Sequence, residues 1–114
     1  MTSTLPFPFQ LRSPQAGDRA GAYAVCLKTG NFGQDGEPFY RDDPDALGRV
    51  FVGPYLAYEP ELGRILEDDQ GICGYVLAAM DSHAFYARYE AEWRPELCRQ
   101  FPAPSGDPAA WNRV

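Results

Sequence analysis

Few side chains in this sequence combine the type and spacing that chemistry needs. Cys26, Cys73 and Cys98 are odd in number and widely separated, and His83 is the only histidine. A zinc site wants paired ligands at short spacing, so no metal is expected. The three thiols fall inside apolar stretches and are expected to be buried and reduced. Glu67-Asp68-Asp69 puts three carboxylates in a row. Lying between two apolar runs, it reads as a solvated hairpin tip, not a carboxylate pair for acid–base work. His83 falls at a helix start and reads as a structural or surface residue. Tyr86, Tyr89 and Trp93 recur at helical spacing and are expected to face the core.

The elements that position these residues follow from periodicity. Phe7–Arg12 alternates apolar and polar residues, as a short strand does. Ala16–Thr29 places Ala20, Tyr23, Ala24 and Leu27 on one helical face, with Asp18 and Lys28 matching the helix dipole. Gly17 and Gly21 weaken this helix, and Gly30 is its natural stop. Asn31–Arg41 (NFGQDGEPFYR) reads as a loop with Phe32, Phe39 and Tyr40 in it. Asp43-Pro44 starts a second helix near 44–52, with Leu47, Val50 and Phe51 on its face and a stop expected at Gly53-Pro54. Tyr55–Pro60 fits a helical turn or an extended connector.

Leu62–Asp68 reads as a strand, Asp69-Gln70-Gly71 as a tight turn, and Ile72–Met80 (ICGYVLAAM) as a second strand. The second strand is apolar almost throughout, so both of its faces are expected to be covered, Val76 and Leu77 included. Gly74 marks a bulge or close contact within it. A helix follows near 82–101, capped by Asp81 or Ser82 and kinked or restarted at Pro95. Pro102–Val114 is rich in Pro, Gly and Ser and reads as a linker or tail, leaving residues 1–101 as the domain.

The 114 residues suit one domain, with 45% hydrophobic residues and 14% aromatic ones as in globular chains. Ten basic residues against sixteen acidic ones give a formal charge of −6, and Lys28 is the only lysine. Such a surface repels phosphate backbones and anionic lipid, so neither nucleic acid nor a membrane is an expected partner. No run approaches the roughly 18 apolar residues of a membrane span. The N-terminus lacks the basic start and apolar run of a signal peptide, so a cytoplasmic location is expected.

The order is strand, helix, helix, strand, strand, helix, which gives an α+β fold with a mainly antiparallel sheet. A central strand needs two neighbours, and only one is in sight for Ile72–Met80. Its other edge offers unpaired backbone groups with no Lys or Pro to guard it, so a second copy of the chain is expected to pair there.

This order resembles the N-terminal half of GNAT-family N-acetyltransferases, of the bacterial type similar to the acetyltransferase-like domain of O-GlcNAcase. The similar stretches are LRSPQAGDRAGAYAVCLKTG (11–30), DPDALGRVFVGPYLAYEPEL (43–62) and LEDDQGICGYVLAAMD (66–81), with VFVGPYLA the most specific phrase. The resemblance implies acetyl transfer from acetyl-CoA to an amine that attacks the thioester directly. The family seats the pyrophosphate on a Q/R-x-x-G-x-G/A loop at a helix N-terminus. No such loop occurs here: Gly17-Asp18-Arg19-Ala20-Gly21 has the wrong spacing. The resemblance therefore implies no acetyl-CoA bound by this chain alone, and it assigns no catalytic residue. The family walls its acceptor site with the loop between its first two helices. By that resemblance Gln34, Asp35 and Tyr40 are the candidate substrate-binding residues. The competing reading is an ordinary solvated loop anchored by its aromatics. The alternative function is a non-enzymatic interaction module that pairs through strand 72–80.

Overall fold

A computed structural model describes residues 5–101, so the expected tail at 102–114 lies outside the described residues. Strands β1 (Gln10–Arg12), β2 (Arg64–Asp68) and β3 (Gly71–Val76) form one antiparallel sheet in the order β1-β2-β3. Helix α1 (Arg19–Lys28) packs on β3 and on the short helices α2 (Ala46–Phe51) and α3 (Gly53–Tyr58). A long helical arm follows, α4 (Ser82–Arg88) and α5 (Arg94–Gln100), joined by a π-helical stretch at Tyr89–Trp93. The fold class is α+β, as expected. Among the described residues no helix is long and apolar enough to cross a membrane.

The 62–80 hairpin forms in the expected sense. Asp68 faces Gly71 across a two-residue turn at Asp69-Gln70, and the Asp68 carboxylate accepts the Gln70 N–H at 2.8 Å. Gly71 takes φ +129°, which a side chain would disfavour. The bulge falls beside Gly74: pairing steps from Leu66↔Gly74 to Glu67↔Ile72 and leaves Cys73 outside the ladder.

The central-strand reading fails. The strand stops at Val76, not at Met80, and Val76 is 60% exposed. Leu77 is half-buried. In this sheet the middle strand is β2, and its Ile65 is fully buried. Apolar composition alone does not tell a strand covered on both faces from an edge strand whose far side is open.

Helix α1 buries Ala22, Tyr23, Cys26 and Leu27, not the expected set with Ala20 and Ala24, which are exposed. The face is rotated because Gly21 and Cys26 settle against β3. A Cβ on Gly21 would stand 2.7 Å from Ile72 Cδ1, so this glycine allows the helix its close approach to the sheet. Gly48 plays the same part for α2, where a Cβ would overlap the Tyr23 ring. The second helix stops at Phe51, just before Gly53-Pro54 as expected, but a third helix begins there at once. Pro54 sits in the first turn of α3, where its missing N–H needs no partner, and Tyr55–Tyr58 are helical.

Pro95 restarts the arm as expected, immediately after the π-helical stretch. The core-facing stripe does not hold. Phe85 is the buried residue of α4, Tyr86 is exposed, and Tyr89 and Trp93 are half-buried. Only one side of the arm meets the domain, chiefly through Phe85 stacked on Tyr55 at 4.3 Å and Trp93 Nε1 donating to the Arg49 carbonyl at 2.8 Å. Of the thiols, Cys26 is buried and Cys73 and Cys98 are exposed. Cys73 is exposed because the bulge turns it out, and Cys98 because it lies on the open side of the arm.

Candidate functional site

The loop between α1 and α2 is built on the end of α1. Gly33 N–H returns to the Thr29 carbonyl at 3.1 Å and Gly36 N–H to the Leu27 carbonyl at 2.8 Å. Asn31 and Gln34 exchange two backbone hydrogen bonds of 2.9 Å, closing a two-residue hairpin over Phe32-Gly33. Both central residues have positive φ, +54° at Phe32 and +85° at Gly33. That is the signature of a type I′ turn, which normally carries Asn-Gly. A bulky phenylalanine in the left-handed region is uncommon, and outliers of this kind cluster at functional sites. The Phe32 ring projects 92% exposed from the turn.

The structure separates the three candidate residues. Tyr40 is buried in the core cluster with Tyr23, Leu27 and Leu47. Its ring lines a recess of about 200 Å³ together with Gly30, Asn31, Phe32 and Phe39. No hydrogen bond to the Tyr40 hydroxyl occurs among the described residues, and the hydroxyl is not sealed from solvent. Asp35 is committed to its own loop: its Oδ1 accepts the Glu37 N–H at 2.9 Å and its Oδ2 lies 3.6 Å from Lys28 Nζ. Lys28 also meets Glu37 at 2.5 Å, and these two carboxylates hold the lysine pKa above its ordinary value, the Glu37 hydrogen bond most of all. Gln34 is exposed and contributes its backbone to the hairpin. Tyr40 therefore belongs to the recess, and Asp35 and Gln34 shape the loop around it. The sequence reading missed Phe32, although N-F-G at a helix exit is itself a turn signal.

A second recess, of about 320 Å³, lies where the β1–α1 connection faces α3. Among the described residues, Arg19 is the one charged side chain that lines it. No group of three or more His, Cys, Asp or Glu arranged for a metal occurs among the described residues. His83 is exposed, in the first turn of α4.

An aspartate stands at the N-terminus of both α1 and α4. At α1, Asp18 takes the Gln15 N–H at 2.6 Å and two hydrogen bonds from Arg12. At α4, Asp81 takes the N–H groups of His83 and Ala84 at 3.0 and 3.2 Å. α5 opens with Pro95 directly out of the π-helical stretch.

No protein-family profile matches the chain. It is 33% identical over 90 residues to protein O-GlcNAcase of Rattus norvegicus and, to the same extent, to that of Mus musculus, a match over 79% of this chain. The chain spans 10% of the length of those relatives. The crystal structure of SsHAT superposes with a TM-score of 0.76 at 35% identity, over 88% of this chain and 50% of that one. With a three-stranded antiparallel sheet, an α1 packed on it and the α1–α2 loop in its expected place, the chain has a GNAT-like, acetyltransferase-like fold over the part it shares with these proteins.

Proposed function

We propose that the chain forms the acceptor-side half of an acetyl-CoA-dependent N-acetyltransferase and does not transfer acetyl groups by itself. The observation that supports this reading is the match of 88% of the chain to half of SsHAT at 35% identity. In the proposed reaction the acceptor nitrogen attacks the thioester carbonyl directly. The C–N bond forms, the C–S bond breaks, the amine gives up a proton and CoA leaves as the thiolate. This chain's part is to wall the acceptor with residues 30–40, with Tyr40 and Phe32 foremost. The pyrophosphate contacts come from the half of the domain not matched here. The three free cysteines agree with a reducing compartment such as the cytoplasm. Nucleic acid and anionic membranes are unsuited to a net charge of −6.

The test is mass spectrometry of small amines incubated with acetyl-CoA and the chain, with and without the unmatched half of SsHAT. The expected result is acetylated amine and free CoA thiol only when both halves are present. Acetylation by the chain alone, or none by a folded complex of the two, would overturn the proposal.

One observation favours a second reading, an interaction module. β3 is an edge strand with Val76 60% exposed, and its sequence GICGYV has neither charge nor proline. An edge of that composition is a template for pairing with another chain. In this reading a second copy of the chain pairs along β3 and the protein is a homodimer.

A further inference from the structure

We propose that the recess lined by Phe32, Phe39 and Tyr40 binds an organic ammonium group of the acceptor, separate from the nitrogen that is acetylated. The role of acceptor rests on the acetyltransferase reading, whereas the binding of a cation does not. Among the described residues that line the recess, Phe32, Phe39 and Tyr40 are aromatic, and its volume of about 200 Å³ is below the roughly 300 Å³ at which pockets for whole ligands begin. It suits one group of side-chain size. Aromatic faces attract a cation held over them, and clusters of such faces are the usual receptor for alkylated ammonium.

The surrounding charge has the matching sign. Residues 31–45 carry five acids, Asp35, Glu37, Asp42, Asp43 and Asp45, against one base, Arg41. Lys28 pairs with Asp35 and Glu37 and Arg49 with Asp43. Asp42 and Asp45 form no ion pair among the described residues, so the segment keeps negative charge to draw a cation in.

Phe32 is the element with no structural reason to be aromatic. Its ring is 92% exposed and its backbone sits at φ +54°, where glycine or asparagine would be easier. A residue that costs conformational energy and leaves its ring in solvent is explained if the ring closes over a bound group.

The test is titration of choline into the isotope-labelled chain, followed by amide shifts, against its neutral isostere 3,3-dimethyl-1-butanol. Saturable shifts confined to residues 30–45 with choline, and binding at least about threefold weaker for the isostere, are expected. Phe32→Gly should weaken choline binding by a similar factor at an unchanged thermal midpoint, since it removes the ring and relieves the turn. Equal binding of the two ligands would show an apolar pocket only. Absent shifts, or unchanged binding in Phe32→Gly, would overturn the proposal outright. Choline binding by a chain that gives no acetylation with the SsHAT half would sink the acetyltransferase reading and leave the cation site standing.

Discussion

Arg12 donates two parallel hydrogen bonds to the Asp18 carboxylate, at 2.8 and 2.9 Å, and a third from Nε to Glu67 at 2.9 Å. One guanidinium thus ties β1 to β2 and to the start of α1. Asp18 is 7% exposed and is the buried charged residue among those described. Glu67 belongs to this link and not to a solvated hairpin tip, as its position in the acidic run had suggested.

The Arg12 hydrogen bonds hold the Asp18 carboxyl below the ordinary carboxylate range, outweighing the opposite push of burial. The carboxyl's folded pKa is depressed, so its contribution to stability is present above the unfolded value of about 4. It is lost as pH falls through the folded value. Arg12→Met should cost about 3 kcal/mol near neutral pH, because it strands a buried charge. The penalty should shrink in acid as Asp18 protonates. Chemical denaturation at a series of pH values measures both effects, and a penalty independent of pH would contradict the role given to Asp18.

β2 and β3 make opposite predictions for substitution. Ile65→Ala empties a site of 0% exposure and should destabilise by about 2–5 kcal/mol. Val76→Lys should change the stability of the monomer by less than about 0.5 kcal/mol. If the interaction-module reading holds, Val76→Lys should also abolish the dimer, because a lysine on an edge strand opposes pairing. Light scattering across a concentration series reads the second outcome. A wild type that stays monomeric throughout removes that reading.

The tyrosines report on the arm and on the core. Tyr55 is pushed up to about 12, first by its hydrogen bond with the Tyr86 hydroxyl at 3.4 Å and then by burial. Tyr75 is pushed up to about 12 mainly by burial beside Cys26. Both stay neutral in the folded state above the unfolded value of about 10, so stability should fall as pH rises from 10 toward 12. Ultraviolet titration should show a late class of tyrosines, and Tyr86→Phe should bring Tyr55 back toward 10. An unchanged titration in that variant would place the arm away from α3.

Thiol labelling tests the register of the bulge. Cys73 and Cys98 should alkylate in the native protein, and Cys26 only on unfolding. Burial also pushes the Cys26 thiol up, which slows it further. Mass spectrometry of partially alkylated protein distinguishes the three. Protection of Cys73 in the native state would mean that something covers the β3 face.

Local signals alone determined the elements of this protein. The turn at Asp69-Gln70-Gly71, the α1 periodicity, the restart at Pro95 and the loop at 31–41 all depend on residues a few positions apart, and each is where its local chemistry puts it. The stretches at 11–30, 43–62 and 66–81 likewise carried the family resemblance that the comparisons later supported. What only the tertiary structure decided is which side of each element is covered. Ile72–Met80 is apolar whether its neighbour is present or not, so its length, its edge position and the exposure of Val76 depend on the strands that lie beside it. The α1 face turned on the fit of Gly21 against Ile72, a contact between residues 51 positions apart. The candidate site divided in the same way. Tyr40 joined the recess because the core beneath it is apolar, and Asp35 left it because Lys28 lies within reach. Phe32 entered because two backbone hydrogen bonds between Asn31 and Gln34 fix the turn beneath it. Side-chain types are written in the chain, but the partners that neutralise or expose them are set by packing across it.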